Sequence, residues 1–179
     1  RISPEELHRK ISAVFGANYE WQGPETGSGL LWEHLLLYGG LDSDEITNRT
    51  TEANALSNGI QLRIASQIAC ERVAADLNNG GILFPVASVS DDPDTAAGAD
   101  RIRRNIQFLH RHLLGEDLSR DDPEIEHTLE LFLDARAAGE TNIPSTCRGG
   151  GNAMDLNGTV IPWMAVVTYL LSDYRFFYH

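Results

Sequence analysis

The sequence predicts an all-α protein, an irregular bundle of about six helices joined by long Gly-rich loops. Three observations lead there. Apolar residues recur at three- and four-residue spacing over successive stretches of the chain. Several of these stretches open on Ser, Asp or Pro and close on glycine. The one extended apolar stretch, Ile82 to Val89, contains Pro85 and has no second strand to pair with.

The first helix is announced by Ser3-Pro4-Glu5-Glu6, a capping box with proline at the first helical position. Leu7, Ile11, Val14 and Phe15 form its apolar face and Gly16 ends it. A loop over 17–29, carrying Tyr19 and Trp21, leads to a short apolar helix over Leu30–Tyr38. Gly39-Gly40 then turns the chain through an acidic corner, Asp42-Ser43-Asp44-Glu45. A long helix over Thr51–Leu77 follows, with a weak point at Asn58-Gly59. Asn78-Asn79-Gly80-Gly81 stops it, and Ile82–Val89 is expected to cross the core in extended form. Ser90-Asp91-Asp92-Pro93-Asp94 and Asp121-Asp122-Pro123-Glu124 open the next two helices, closed by Gly115 and Gly139. Their buried stripes are Ile102, Ile106, Leu109 and Leu113, then Ile125, Leu129, Phe132 and Leu133. After an irregular loop over 140–159, a last helix runs from about Ile161 to Tyr178. Trp163, Val166, Val167, Leu170, Tyr174 and Phe177 are expected to point inward from it.

The 179 residues suffice for one sizeable core, and no repeat or linker divides them, so one helical domain over 1–179 is expected. The sequence shows no initiator Met and no signal peptide, so a processed or excised piece of a longer polypeptide is expected. A net charge of −12 argues against nucleic acid and against an anionic membrane surface, while permitting a basic protein partner or divalent cations. The longest apolar run, Val160–Leu171, is too short for the ~20 residues that span a bilayer. Thirteen of the fourteen basic residues are Arg, Lys10 being the exception; codon usage explains this most simply, and bidentate carboxylate pairing is the alternative.

No complete catalytic motif is present. Glu5 with His8, and Glu124 with His127, each place an acid and an imidazole on one helix face. Carboxylate-bridged metal bundles use two such pairs plus two further Glu, for which Glu33 and Glu71 are available. Both pairs start in first helical turns just after proline, however, where acids complement the helix dipole without any metal. His110 and His112, two apart on a helix, cannot chelate one ion and are expected partly exposed on the surface. His34, beside Trp32, reads as a buried hydrogen-bonded histidine, with a ligand or acid–base role as the alternative. Asp155-Leu156-Asn157-Gly158 is the best remaining calcium candidate, although the twelve-residue calcium loop is absent. Ser145-Thr146-Cys147 before Gly149-Gly150-Gly151 lacks the ending of a phosphate loop, and no local His activates Cys147. The two cysteines, Cys70 and Cys147, fit no metal or redox spacing; one disulfide and two free thiols are both open.

Three blocks carry a family likeness: Arg1 to Gly16, Leu37-Tyr38-Gly39-Gly40-Leu41-Asp42-Ser43 with Arg49 downstream, and Trp163 to Phe176. Together they resemble helical domains of large exported bacterial proteins, frequent in planctomycetes and myxobacteria, which carry cytochrome-c-like segments beside domains of unknown function. The resemblance implies a periplasmic or extracellular helical module, and it favours a Cys70–Cys147 disulfide over free thiols. The haem-attachment motif of those proteins is absent, so no covalent haem and no other cofactor is expected. The expected function is a non-catalytic extracytoplasmic interaction module, an accessory subunit of a membrane-bound electron-transfer complex. Trp21, Trp32 and Phe176–Tyr178 are its candidate docking surface. The alternative is a helical metal-binding protein or metalloenzyme with a Glu/His site.

Overall fold

A computed structural model of the chain describes residues 2–16, 55–139, 142–148, 155 and 157–178. Among them lie six α-helices and no strand, so the protein is all-α. In chain order these are α1 (Pro4–Phe15), α2 (Ala55–Asn79), α3 (Ala96–Leu109), α4 (Pro123–Ala137), α5 (Val160–Ser172) and α6 (Tyr174–Tyr178). The helix expected over Leu30–Tyr38, the Gly39-Gly40 corner and the Gly149–Gly151 loop lie outside the described residues. The chain divides into two compact units, Arg1–Ile64 with Ser172–His179, and Ala65–Leu171.

In the first unit, α1 begins as its sequence predicts. The Ser3 hydroxyl accepts from Glu6 N–H (3.2 Å), and the Glu6 carboxylate accepts from Ser3 N–H (2.8 Å). Such a cap stabilises a helix by about 1 kcal/mol. Leu7, Ile11 and Phe15 are buried, as are Ile60 and Ile64 of α2 and Phe176 and Phe177 of α6. The ammonium of Lys10 donates to Phe176 O (2.7 Å) and lies 4.6 Å from the Phe176 ring centroid. Burial lowers its pKa below the ordinary lysine value. Asn58-Gly59 does not break α2, which runs through both residues.

The second unit is organised around Trp163 of α5, which is wholly buried. Its ring meets Phe84 and Phe132 edge to face, at 5.1 and 4.9 Å. Ile102, Ile106, Leu109, Leu113 and Ile125 are buried as their spacing predicts. Leu133 is 42% exposed, so the α4 stripe is narrower than expected and centres on Ile125 and Phe132.

The segment after α2 makes turns instead of a strand and is pinned by two polar side chains. Asp76 Oδ2 accepts from Leu83 N–H (3.2 Å), and a Cβ on Gly81 would collide with that same carboxylate. Asn105 of α3, fully buried, accepts from Val86 and Ala87 N–H and donates to Leu83 O. One amide thus satisfies three backbone groups that would otherwise be stranded in the core.

The α3 start differs from expectation. Thr95, not the preceding acids, is the N-cap, accepting from Gly98 N–H (3.1 Å). Gly98 is needed because a Cβ there would strike the Asp92 carbonyl oxygen. Asp91 instead accepts from Ser88 N–H and pairs with Arg101. Asp122 does cap α4, at 3.0 Å from Glu124 N, as predicted.

The expected single C-terminal helix is broken at Asp173, whose Oδ1 accepts from Arg175 N–H (2.7 Å). The break changes the helical phase. Phe176 and Phe177 are buried and Tyr174 is 61% exposed, which reverses the inward placement expected for Tyr174. It also removes Phe176 and Phe177 from the candidate docking surface, because both are core residues. Trp21 and Trp32 lie outside the described residues.

Candidate functional site

Cys70 of α2 and Cys147 form a disulfide across a sequence separation of 77. Cys147 sits in a single 3₁₀ turn, Ser145–Cys147, and is buried. Arg148 holds the same turn by donating to Ile143 O (3.0 Å). The bond resolves the choice between bridge and free thiols, and it removes Cys147 as a nucleophile.

Among the described residues, no three His, Cys, Asp or Glu side chains come together to hold a metal ion. His8 is exposed on α1, and the Glu5 side chain lies outside the described residues. Glu124 accepts from the Tyr169 hydroxyl (2.7 Å), while His127 is exposed. Glu71 accepts from Gln67 (2.8 Å); Glu33 and His34 lie outside the described residues. Asp155 acts as a cap for α5, its Oδ1 accepting from Thr159 N–H (2.7 Å) and Val160 N–H (3.3 Å). Its Oδ2 is buried without a partner.

His110 is a correction to the sequence reading, because it is fully buried instead of partly exposed. A π-helical turn, His110–Leu114, continues α3 and ends at Gly115, whose φ of 72° suits glycine. Within it His110 Nδ1 lies 2.9 Å from Glu116 Oε2, and Nε2 lies 3.0 Å from Thr128 Oγ1. Carboxylate, imidazole and hydroxyl in that order form the pattern of a nucleophile relay. Here the pattern is structural. Thr128 is fully buried and its hydroxyl is within 2.9 Å of Glu124 O, to which it donates. Neither cleft described below is lined by any of the three residues. The trio ties the end of α3 to α4. His110 was legible after all: it continues the four-residue spacing of Ile102 and Ile106. His112 points elsewhere and stacks on Phe108, with ring centroids 5.2 Å apart.

Ion pairs use most of the second unit's arginines. Arg136 grips Asp94 with two hydrogen bonds of 2.9 Å, and Arg103 grips Glu126 across α3 and α4. Asp100 receives both Arg104 and Arg120. The Arg136 hydrogen bonds hold the Asp94 carboxyl below its ordinary pKa. At Asp100, desolvation pushes the pKa up, but Arg104 and Arg120 outweigh it and the net shift is downward.

Among the described residues, two clefts offer places for a ligand. One, about 250 Å³ in the second unit, is lined by Val86, Arg104, Gln107, Phe108, Arg111 and Asp117. The other, about 330 Å³ in the first unit, is lined by Asn58, Gln61 and Leu62 of α2, Ser172, and Tyr174 and Tyr178 of α6. The sequence signalled neither, since each gathers residues from separated segments.

No family model matches the chain, and no curated protein and no solved structure matches it.

Proposed function

We propose that this chain is a non-catalytic helical module that works in the periplasm or outside the cell by binding a protein partner. The observation that carries the reading is the Cys70–Cys147 disulfide, which uses both cysteines of the chain. Disulfides persist in oxidising compartments and are rare in the cytosol. Binding is favoured over catalysis by the way the reactive groups are committed. His110, Thr128 and Glu116 are tied to one another, Cys147 is bonded, and Asp155 and Asp122 cap helices. The cleft at Val86, Phe108 and Arg111 suits a partner, because it sets an aromatic ring beside two arginines, Arg104 and Arg111, and arginine and aromatic side chains are enriched at protein interfaces. The likeness to exported proteins with cytochrome-c-like segments makes an accessory role in a membrane-bound electron-transfer complex the setting of this reading. Among the described residues no helix is long and apolar enough to cross a membrane.

Native mass spectrometry of the protein isolated from its source tests this. The expected mass is two hydrogens below that of the reduced chain, with a bound subunit that Phe108→Ala with Arg111→Glu releases. Two free thiols would refute the compartment. A stoichiometric metal ion in place of a subunit would move the function to the Glu5, His8, Glu124 and His127 alternative.

A further inference from the structure

We propose that the first-unit cleft between α2 and α6 binds a neutral saccharide. This is a second site, independent of the partner-binding face above.

The described residues that line it are all uncharged, in a protein whose net charge is −12. A charged ligand would lose hydration there and gain no counter-charge from these residues. The cleft volume of about 330 Å³ lies at the small end of ligand sites, which run from about 300 to 1,000 Å³. One wall is aromatic. Tyr174 and Tyr178 stack with ring centroids 4.1 Å apart and planes within 11°. Tyr174 is 61% exposed beside Leu62, which is 53% exposed. The other wall is amide and hydroxyl, from Asn58, Gln61 and Ser172.

Two of the lining residues each carry a polar atom that the fold leaves unmatched. Gln61 is only 6% exposed, yet its Nε2 is buried with no hydrogen-bond partner. The Tyr178 hydroxyl is likewise buried with none. Buried donors of this kind are rare because their lost hydration goes uncompensated. The amide N–H requires an acceptor, and the phenol takes either role. A pyranose supplies both needs at once. Its C–H face packs on an aromatic wall, and its hydroxyls donate and accept around the rim. A purely aromatic ligand would cover the rings and leave Gln61 unmet.

Saturation-transfer NMR on the whole protein tests the assignment. The probes are methyl α-glucoside, methyl β-galactoside, N-acetylglucosamine and cellobiose, with glucuronate as the charged counterpart. At least one neutral sugar is expected to receive saturation at its C–H protons, and glucuronate none. Tyr174→Ala should abolish the signal, since Tyr174 is exposed and its removal leaves the core intact. Gln61→Leu should raise Kd about tenfold, the loss of one neutral hydrogen bond. It should also leave Tm unchanged or higher, because an orphaned amide gives way to an apolar side chain of similar size. No transfer to any neutral sugar, equal transfer in both variants, or equal binding of glucuronate would overturn the proposal. So would a clear fall in Tm with Gln61→Leu, which would assign the amide to the fold.

Discussion

Removing the Cys70–Cys147 disulfide should cost this protein more than any exposed substitution, through the unfolded chain. The bond closes a loop spanning a sequence separation of 77. In the chain-entropy model the denatured ensemble loses 2.1 + 1.5R ln n cal/mol/K, about 15 cal/mol/K for this loop and about 4.5 kcal/mol at 25 °C. For a chain of this size each kcal/mol moves Tm by roughly 2–4 °C, so the double variant Cys70→Ala/Cys147→Ala should melt about 9–18 °C lower. Urea unfolding followed by circular dichroism separates the mechanism from a packing loss. Without the cross-link the unfolded chain exposes more surface, so the m-value should rise together with the fall in midpoint. A double variant that melts within about 3 °C of the parent, at unchanged m, would refute the argument. It would mean that the unfolded chain already keeps these segments close, so that the cross-link removes little entropy from it.

Three further outcomes follow from the same geometry. Asn105→Ala leaves two N–H groups and one carbonyl without their side-chain partner and should cost about 2–4 kcal/mol in urea unfolding. Trp163→Ala removes the ring against which Phe84 and Phe132 pack, and should lower stability by about 3–5 kcal/mol with loss of near-UV dichroism. Asp94 and Asp100 have folded pKa values below those of the unfolded chain, so their contribution is fully present above the unfolded value of about 3.9 and is lost as pH falls through the folded one. Tm should therefore fall with pH from about 4.5 downward, and Arg136→Ala should shrink that slope, since Arg136 is the main cause at Asp94.

The reading of the second unit shows where sequence is sufficient. Ile102, Ile106, Leu109 and Leu113 were assigned to the core from spacing alone, and they are buried, because a helical period leaves only one face to cover. Ser3, Pro4 and Asp122 announced two helix starts, since capping is a contact between residues two or three apart. The errors share a cause. His110 was placed at the surface, but Glu116 and Thr128 make its burial tolerable, and Thr128 comes from another helix. Tyr174 was placed in the core, but the Asp173 cap resets the helix by a fraction of a turn. An Asp within an apolar run was the available signal.

What this sequence determined by itself is the helical class, two of its caps and most of its apolar stripes, all properties of residues within one or two turns of each other. The tertiary structure alone decided which polar groups are satisfied and which are not. Asn105 spends its amide on a distant turn, and His110 is enclosed between Glu116 and Thr128. Gln61 and Tyr178 come together in one cleft, both with a buried polar atom unmatched. Burial and hydrogen-bond satisfaction depend on neighbours far away in the chain, and no local pattern encodes them.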